Sequence, residues 1–315
     1  MSTLVWQIAA GTSDRPYFDK FLDHGVALLG PGDIGKWEES KTDSFDRFVN
    51  GFCGRAMEGE TIVLRIGKNK IIAVGIIAGP YEYYDQFDDV YGWDLQHGRR
   101  VRWKQLGNEY TFSTSVFGAN PPRFSRTWNE EVIDIVMKVI NSEPSQWKSE
   151  PLARLPSPEP ELQLIPPNLQ PFLAELGDVY PQFWDKARFN SIPSEDEMVA
   201  HFVVPFLKVL GWKTENIGVK WQFADIVLFR TLPRIPENIA LIIEAKRMDT
   251  AAESAFNQAK NFADKFKVHA DLLVSDGIRY RLFGYDGHRI AYANLSRLKQ
   301  SSTTLFEKLS FSNVD

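Results

Sequence analysis

The sequence predicts a two-domain chain of the α+β or α/β class, in which each domain contains its own β-sheet. Strand-like and helix-like segments share the first part of the chain, a proline-rich segment lies in the middle, and apolar strands alternate with helices afterwards. With 315 residues, the chain is long enough for two domains with separate cores. The predicted domains are 1–145 and 172–315, joined by a linker at 146–171.

The composition excludes several classes of protein. A hydrophobic fraction of 43% and a charged fraction of 24% are ordinary for a soluble globular chain, and no apolar run reaches the roughly eighteen residues of a membrane span. The N-terminus lacks the basic region of a signal peptide. Cys53 is the only cysteine, which excludes an intramolecular disulfide and a cysteine-ligated zinc site and suits a reducing cytoplasm. The net charge of −5 argues against non-specific coating of nucleic acid.

Seven segments of the first domain have the patterns of regular secondary structure. Gly25 is a suitable residue to end the first helix, and Gly67 lies at the turn of a predicted hairpin. The glycine-rich loop at 30–37 lacks the lysine and serine that end a P-loop, so we expect no nucleotide cofactor. The predicted elements are strands at Leu4–Ala9, Val26–Leu29, Thr61–Ile66 and Lys70–Ile77, and helices at Pro16–His24, Asp43–Ala56 and Asn129–Ile140.

An aromatic-rich segment follows the hairpin, at residues 81–103. Aromatic side chains beside basic ones are what base stacking and phosphate contact require. Alternatively, these aromatics fill the core of a small β-barrel while the arginines face water, and the residues alone do not decide between the two. We assign Trp6, Trp103 and Trp128 to the core because buried tryptophan usually serves packing. The candidate contacts to the DNA backbone are Arg99, Arg100, Arg102 and Lys104.

The segment from 141 to 171 is rich in proline, serine, glutamate and glutamine. Such a composition cannot bury a core and favours extended polyproline structure, so it predicts a semi-rigid linker. A helix that packs on the second domain is expected at 171–189. The second domain then begins with a capping box, in which Ser194 is the N-cap and Glu197 is the third helical residue.

The second domain contains two strands that carry acidic residues. The strand Gln222–Phe229 contains Asp225, and the strand Ile239–Lys246 ends in Glu244-Ala245-Lys246. Since side chains alternate along a strand, Ile242, Glu244 and Lys246 share one face. If the two strands pair, Asp225 lies beside Glu244.

Two neighbouring carboxylates form an oxygen site for a hard divalent cation. A lysine on the same face can position a water molecule and stabilise a phosphorane-like transition state. The simpler alternative is a salt bridge between Glu244 and Lys246, which is the usual explanation of an isolated E-x-K sequence. Against it, the acids lie within apolar strands, where an unpartnered carboxylate is costly. Three further lysines could contact phosphate, although such charges usually form a solvated face: Lys260, Lys265 and Lys267.

These residues resemble the PD-(D/E)xK nuclease core, and their surroundings resemble the nuclease domain of type I restriction-enzyme R subunits. The quoted blocks are SEDEMVAHFVVPFLKVLGW at Ser194–Trp212, Gln258–Phe262, and the strand Ser275–Phe283. The resemblance implies a restriction-endonuclease-like α/β/α core that uses Mg²⁺, with Mn²⁺ as an alternative. It implies metal ligation by Asp225 and Glu244 and catalytic roles for those acids and for Lys246, Glu195 and Gln258. We favour Glu195 over Glu197 as the helix acid, because Glu197 is needed for capping.

Blocks in the first domain are similar to EVE-type domains of the PUA-like superfamily. They are Trp6–Gly11, Gly25–Gly35, Glu58–Arg65, Ile72–Tyr83 and His97–Trp103. The resemblance implies a mixed β-barrel with helices that flips a modified base into an aromatic cage, where the base regains the stacking it loses. The cage candidates are Trp37, Tyr84 and Trp93, with Tyr81 and Tyr91 as reserves.

Together, the two resemblances imply a modification-dependent, type IV-like restriction endonuclease of the prokaryotic cytosol. Its expected partner is double-stranded DNA with a modified base, and we expect a homodimer on DNA because double-strand cleavage needs two active sites. No membrane partner is expected. Two alternatives remain open: a non-catalytic reader of modified nucleic acid, and a nuclease for unmodified DNA that acts in repair or within a larger restriction complex.

Overall fold

The structure, a computed structural model, describes residues 5–11, 16–32, 35–91, 93–142, 147, 151–183, 192–247 and 255–313. The chain divides into two compact units, residues 1–158 and 159–315, so it is a two-unit α+β protein. None of the helices in these ranges is long and apolar enough to cross a membrane.

The first unit contains a six-stranded mixed sheet. Its order is β2-β5-β4-β3-β1-β6, in which β1 is parallel to β3 and the other pairs are antiparallel. Within the described ranges the sheet is a curled half-barrel with β2 and β6 at its edges, whereas the resemblance implied a mixed β-barrel. The strands are β1 Val5–Ala9, β2 Val26–Leu29, β3 Thr61–Ile66, β4 Lys70–Tyr83, β5 His97–Thr111 and β6 Phe124–Thr127.

The helices of the first unit lie on both faces of this sheet. Phe21 of α1 is in one apolar core, and Val132 and Val136 of α3 are in another. Gly25 ends α1 in the left-handed conformation, as predicted. The helices are α1 Phe18–His24, α2 Arg47–Asn50 and α3 Glu130–Ser142; shorter helical turns are Glu39–Ser44, the π-helical Gly51–Arg55 and Asp85–Phe87.

One predicted helix and one predicted core residue of the first unit are wrong. The expected single helix at 43–56 is broken, because Asp46 accepts hydrogen bonds from the N–H groups of Phe48 and Val49 and so starts a new helix. Trp128 is 65% exposed and is not a core residue, whereas Trp6 is buried as predicted.

The second unit contains another six-stranded sheet, in the order β12-β11-β10-β9-β8-β7. Strands β9 and β10 are parallel and the other pairs are antiparallel. The parallel pair is joined through a helix, as a parallel crossover requires. The strands are β7 Ile217–Val219, β8 Ile226–Phe229, β9 Ile239–Ala245, β10 Asp271–Ser275, β11 Arg279–Phe283 and β12 Arg289–Asn294.

Apolar cores cover both faces of the second sheet. Leu241 and Ile243 of β9 pack into the core with α5, while Ile242 packs into the core with α6, as the predicted alternation requires. The helices are α4 Gln170–Phe183, α5 (Glu195–Met198, the π-helical turn Val199–Val203 and Val204–Val209), α6 Phe256–Phe266 and α7 Ser302–Leu309; short 3-10 turns lie at Thr214–Asn216, Trp221–Phe223, Pro236–Asn238 and Phe311–Asn313.

The described part of the segment predicted as a semi-rigid linker packs on the core of the unit in which it lies. Leu155 packs on the core of the first unit, and Ala153 O accepts a hydrogen bond from Arg100. Within the second unit, Leu162 N–H donates to Leu298 O at 3.0 Å, and Leu169 is fully buried. The composition missed this because isolated leucines between prolines can fill pockets without a helical or strand period. Residues 184–189 of the predicted helix lie outside the described residues.

Candidate functional site

The register between β8 and β9 brings two acidic side chains together. Ile226 pairs with Ile243, which puts Asp225 beside Glu244 as the sequence predicted. The predicted strand Gln222–Phe229 begins later than expected, at Ile226, so Asp225 lies just before β8 and after a 3-10 turn. Asp225 N–H donates to Glu244 Oε1 at 3.3 Å, and Ala245 N–H donates to Asp225 Oδ2 at 2.9 Å. The Asp225 residue is 3% exposed and Glu244 is fully buried.

One oxygen of this acid pair has no partner among the residues that the structure describes. Glu244 Oε2 is buried and accepts no hydrogen bond from them. Burial, and then the charge of Asp225, raise the pKa of Glu244 well above its usual range. A bound cation would supply the missing partner and favour the ionised carboxylate.

The donor set fits a magnesium ion with few protein ligands. Within the described ranges, no group of three or more histidine, cysteine, aspartate or glutamate side chains could hold a metal. Mg²⁺ commonly binds through one or two carboxylates and keeps several waters. Asp225 and Glu244 would therefore hold it, with water and substrate oxygens completing the shell.

Lys246 contacts residues of two helices at the end of β9. It follows β9, and its main-chain N–H donates to Ser275 O at 2.8 Å. Its ammonium lies 3.4 Å from Glu195 Oε1 on α5 and 3.2 Å from Gln258 Oε1 on α6. The structure thus brings together the sequence-predicted Lys246, Glu195 and Gln258 at the end of the strand that carries Glu244.

Glu197 has the capping role that the sequence predicted for it. Ser194 N–H donates to Glu197 Oε2 at 2.7 Å, and Glu197 N–H donates to Ser194 Oγ at 3.3 Å. The hydrogen bonds from Ser194 lower the pKa of Glu197. The prediction of a capping box is confirmed, and Glu195 is left as the helix acid that contacts Lys246.

Sequence reasoning missed Lys220. Its ammonium lies 2.6 Å from Asp225 Oδ1 and 2.8 Å from Asp196 Oδ1. Partial burial lowers its pKa, but the bonds to Asp196 and Asp225 outweigh this and raise the pKa above its usual value. Lys220 reaches Asp225 across a turn with irregular backbone, and no periodic pattern indicates such a contact.

In the first unit, Trp37 and Tyr81 come together beside His97. Their rings meet edge-on with centroids 5.9 Å apart. Trp37 N–H donates to the Tyr81 hydroxyl at 3.0 Å, that hydroxyl lies 3.0 Å from His97 Nδ1, and His97 Nε2 lies 2.9 Å from Pro31 O. This chain of bonds is consistent with a proton on Nε2. Buried His97 therefore fixes the Tyr81 ring, a role that its sequence position did not reveal.

The other cage candidates lie elsewhere in the first unit. Tyr84 is 4% exposed and its ring meets Phe87, so it is a core residue and not an accessible cage wall. Trp93 packs against Tyr17 with centroids 6.2 Å apart. Tyr91 is exposed and donates to Asp19 Oδ2 at 2.7 Å. A single cage of all five predicted aromatics is not formed.

The predicted DNA-backbone residues are largely used inside the fold. Arg99 is 4% exposed and donates to Phe52 O at 2.8 Å and Cys53 O at 2.7 Å, so it is not a phosphate contact. Arg100 bonds the carbonyls of Ala153 and Gly25. Arg102 and Lys104 are half-buried, and Lys104 Nζ lies 3.5 Å from Ser142 Oγ. The run of basic residues on β5 suggested side chains that face solvent. Instead, Arg99 and Arg100 donate hydrogen bonds to backbone carbonyls of other segments.

Comparisons with known proteins give a family match for part of the chain. A family described as a domain of unknown function (DUF8426) matches residues 6–120, well under half of the chain. A search of curated proteins found no match.

Two solved structures are similar at low scores. One is a fragment of an HsdR subunit of a type I restriction enzyme from Vibrio vulnificus YJ016. The match has 22% sequence identity and a TM-score of 0.26, and it covers 37% of this chain and 25% of that chain. The other is the YTH domain of the Zygosaccharomyces rouxii MRB1 protein in complex with N6-methyladenosine RNA. The match has 11% sequence identity and a TM-score of 0.27, and it covers 50% of this chain and 90% of that chain. This chain spans a quarter of the restriction-enzyme fragment. At these scores neither likeness carries an argument, and the assignment rests on the geometry above.

Proposed function

We propose that the protein is a metal-dependent nuclease that hydrolyses DNA phosphodiester bonds with its second unit. The observation that carries the proposal is the buried Asp225–Glu244 pair, with one orphaned oxygen, beside a lysine that two helices orient. An isolated salt bridge does not explain this arrangement, because Lys246 bonds to Glu195 and Gln258 and leaves Glu244 Oε2 unpaired.

Each residue has a defined task in this proposal. Asp225 and Glu244 hold Mg²⁺ or Mn²⁺, which when bound supplies positive charge to the phosphoryl oxygens. Lys246 positions the water whose oxygen forms the new bond to phosphorus as the bond to the leaving oxygen breaks. Glu195 and Gln258 hold the Lys246 ammonium in place, so that little rearrangement is needed when substrate arrives.

The finer proposal is a modification-dependent restriction endonuclease. The first unit would read a modified base, with Trp37 and Tyr81 as the aromatic faces that survive from the predicted set. Double-strand cleavage by one active site per chain supports a homodimer on double-stranded DNA. Because the two units are covalently linked, binding of the first unit to a modified base raises the local concentration of the nuclease unit near that site.

A second candidate is a non-catalytic reader of modified nucleic acid. The observation that favours it is Lys220, whose ammonium occupies Asp225 Oδ1 as a cation would. In that case the second unit would bind nucleic acid without cutting it, and Lys220 would be a permanent partner of Asp225.

A cleavage assay with Mg²⁺ separates these functions. The substrates are matched DNAs with unmodified cytosine, 5-methylcytosine, 5-hydroxymethylcytosine, its glucosylated form or N6-methyladenine. We expect one modified DNA to be cut, and Asp225→Asn to slow cutting at least about a hundredfold with binding retained, because a metal ligand contributes several kcal/mol. Equal cutting of all DNAs would discard the reader, and tight binding without cutting would favour the second candidate. Full activity of Asp225→Asn would contradict the metal assignment.

The reader is tested separately with Trp37→Ala. We expect this variant to cut modified and unmodified DNA with similar efficiency, since a flipped base loses one aromatic face. Trp128→Ala is the control, because Trp128 is an exposed tryptophan of the same unit. An unchanged preference in Trp37→Ala would move the base pocket to another part of the first unit.

A further inference from the structure

The turn that precedes Asp225 has unusual backbone geometry. Lys220, Gln222 and Phe223 have φ angles of 51°, 47° and 80°. They are three of the five non-glycine residues with positive φ within the described ranges. This conformation is unfavourable for residues with a Cβ, and most of all for bulky ones, so the fold maintains the turn at a cost in free energy.

The turn is nevertheless rigidly held. Lys220 N–H donates to Asp225 O at 2.8 Å, which closes its two ends, and Ala224 N–H donates to Trp221 O at 3.1 Å. The Trp221 ring packs edge-on against Phe229 and Phe266, with centroids 5.2 Å and 5.1 Å apart. These hydrogen bonds and the packing of Trp221 anchor the turn, whereas the side chains of Lys220, Gln222 and Phe223 are exposed.

Phe223 is the exposed aromatic residue of this turn, and it is 80% exposed. Lys265 Nζ on α6 lies 5.3 Å from the centroid of its ring. Single exposed apolar residues are common on protein surfaces and need no explanation. Phe223 differs because it is a bulky residue at positive φ, where glycine or asparagine would cost less, and because it lies two residues from a candidate metal ligand.

We propose that Phe223 is a stacking platform for an unpaired nucleobase, with Lys265 as the contact to an adjoining phosphate. The assignment rests on the proposed action of the Asp225–Glu244 pair on nucleic acid. An aromatic face beside a cationic side chain is the combination that single-stranded nucleic acid requires, and every base can stack on it. A base unstacked next to the scissile phosphate would expose that phosphate to Lys246 and the acid pair.

The test uses a single-stranded oligonucleotide with 2-aminopurine, whose fluorescence falls when it stacks on an aromatic ring. The full-length chain is titrated without divalent metal, so that no strand is cut. We expect wild-type protein to quench the fluorescence, and Phe223→Ala to abolish the quenching and weaken binding about tenfold. Phe223→Trp should retain both effects. Leu232→Ala, which removes another exposed apolar side chain of this unit, should behave as wild type.

Phe223→Gly separates binding from folding. Glycine accepts positive φ, so this variant should unfold at or above the wild-type temperature while losing the quenching. A clear fall in its melting temperature, or equal quenching and affinity in wild type and Phe223→Ala, would overturn the proposal.

The two proposals can fail independently. Phe223-dependent quenching in a protein that cuts no DNA would refute the nuclease and leave the stacking platform. Metal-dependent cutting with unchanged binding by Phe223→Ala would do the reverse.

Discussion

Arg99 of the first unit and Glu244 of the second are both buried ionisable residues, but their hydrogen bonding differs. In the first unit, Arg99 is buried but its donors meet the carbonyls of Phe52, Cys53 and Gly79. In the second unit, Glu244 is buried with one oxygen unpaired and a raised pKa. A buried polar group whose hydrogen bonds are made is tolerated in the fold, whereas one left without a partner costs free energy that a ligand can recover. Arg99 therefore has a structural role, whereas Glu244 has the hydrogen-bonding deficit expected of a binding site.

Arg65 repeats the pattern of Arg99. It is 3% exposed and donates to the Gln7 side chain and to the carbonyls of Gly67, Pro121 and Pro122. Burial lowers its pKa to about 10, which leaves it charged at neutral pH. Neither arginine is available to bind phosphate, so the first unit would have to recognise DNA through its aromatic residues and its more exposed charges.

The largest effect on stability is expected for Arg99→Met. Three buried carbonyls lose their donors, so the free energy of unfolding should fall by about 2–4 kcal/mol. Chemical denaturation measures it, with Lys138→Met as the control because Lys138 is an exposed cation of the same unit. If Arg99→Met left stability unchanged but weakened DNA binding, Arg99 would be a phosphate contact after all.

A smaller and pH-dependent effect is expected for Glu244→Gln. Burial and Asp225 raise the pKa of Glu244 to about 8, above its value in the unfolded chain. The metal-free protein should therefore lose stability as the pH rises from about 4.5 through 8, because the unfolded chain ionises first. Glu244→Gln removes this loss and should be more stable than wild type at pH 8 by about 1–3 kcal/mol.

Thermal unfolding in EDTA between pH 5 and pH 9 measures this difference. Glu237→Gln, an exposed carboxylate of the same unit, is the control. A Glu244→Gln variant that is less stable than wild type at pH 8 would mean that the ionised carboxylate has a partner in the metal-free fold.

The smallest effect is expected for Lys220→Met, and it concerns metal affinity and not the stability of the fold. The Lys220 ammonium competes with a metal for Asp225 Oδ1, and its side chain is about half exposed, so it can move away. Its removal should tighten Mn²⁺ binding about tenfold, because a competing cation is lost. Lys213→Met is the control, as an exposed lysine of the same unit. Weaker metal binding in Lys220→Met would instead make this lysine a support of the site.

The second unit was easier to predict from sequence than the first. Alternation along Ile239–Ala245 predicted the face on which Glu244 lies, and the pairing of β8 with β9 puts Asp225 beside Glu244. The capping box at Ser194 similarly separated Glu195 from Glu197. Local pattern thus predicted that Asp225 and Glu244 lie side by side and that Glu197 caps its helix.

Contacts across the fold escaped the same reasoning. Whether Arg99 faces solvent or a carbonyl-lined turn depends on the π-helical segment 51–55, which lies far away in sequence. Tyr84 was predicted to line the base pocket but is buried, and Trp128 was predicted to be buried but is exposed. The reason is similar, because burial of an aromatic ring depends on what packs over it. Lys220 reaches Asp225 only through an irregular turn, which no periodic pattern encodes.

If the Glu244 oxygen that lacks a hydrogen-bond partner belongs to a cation site, the metal-free full-length protein should bind Mn²⁺ there. Direct titration of Mn²⁺ into that protein is the test. Calorimetry or electron paramagnetic resonance should report one site at pH 8 in wild type. Asp225→Asn and Glu244→Gln should lose that site, while the exposed Glu237→Gln control should keep it. Absence of binding in wild type, or equal binding in all four proteins, would contradict the claim.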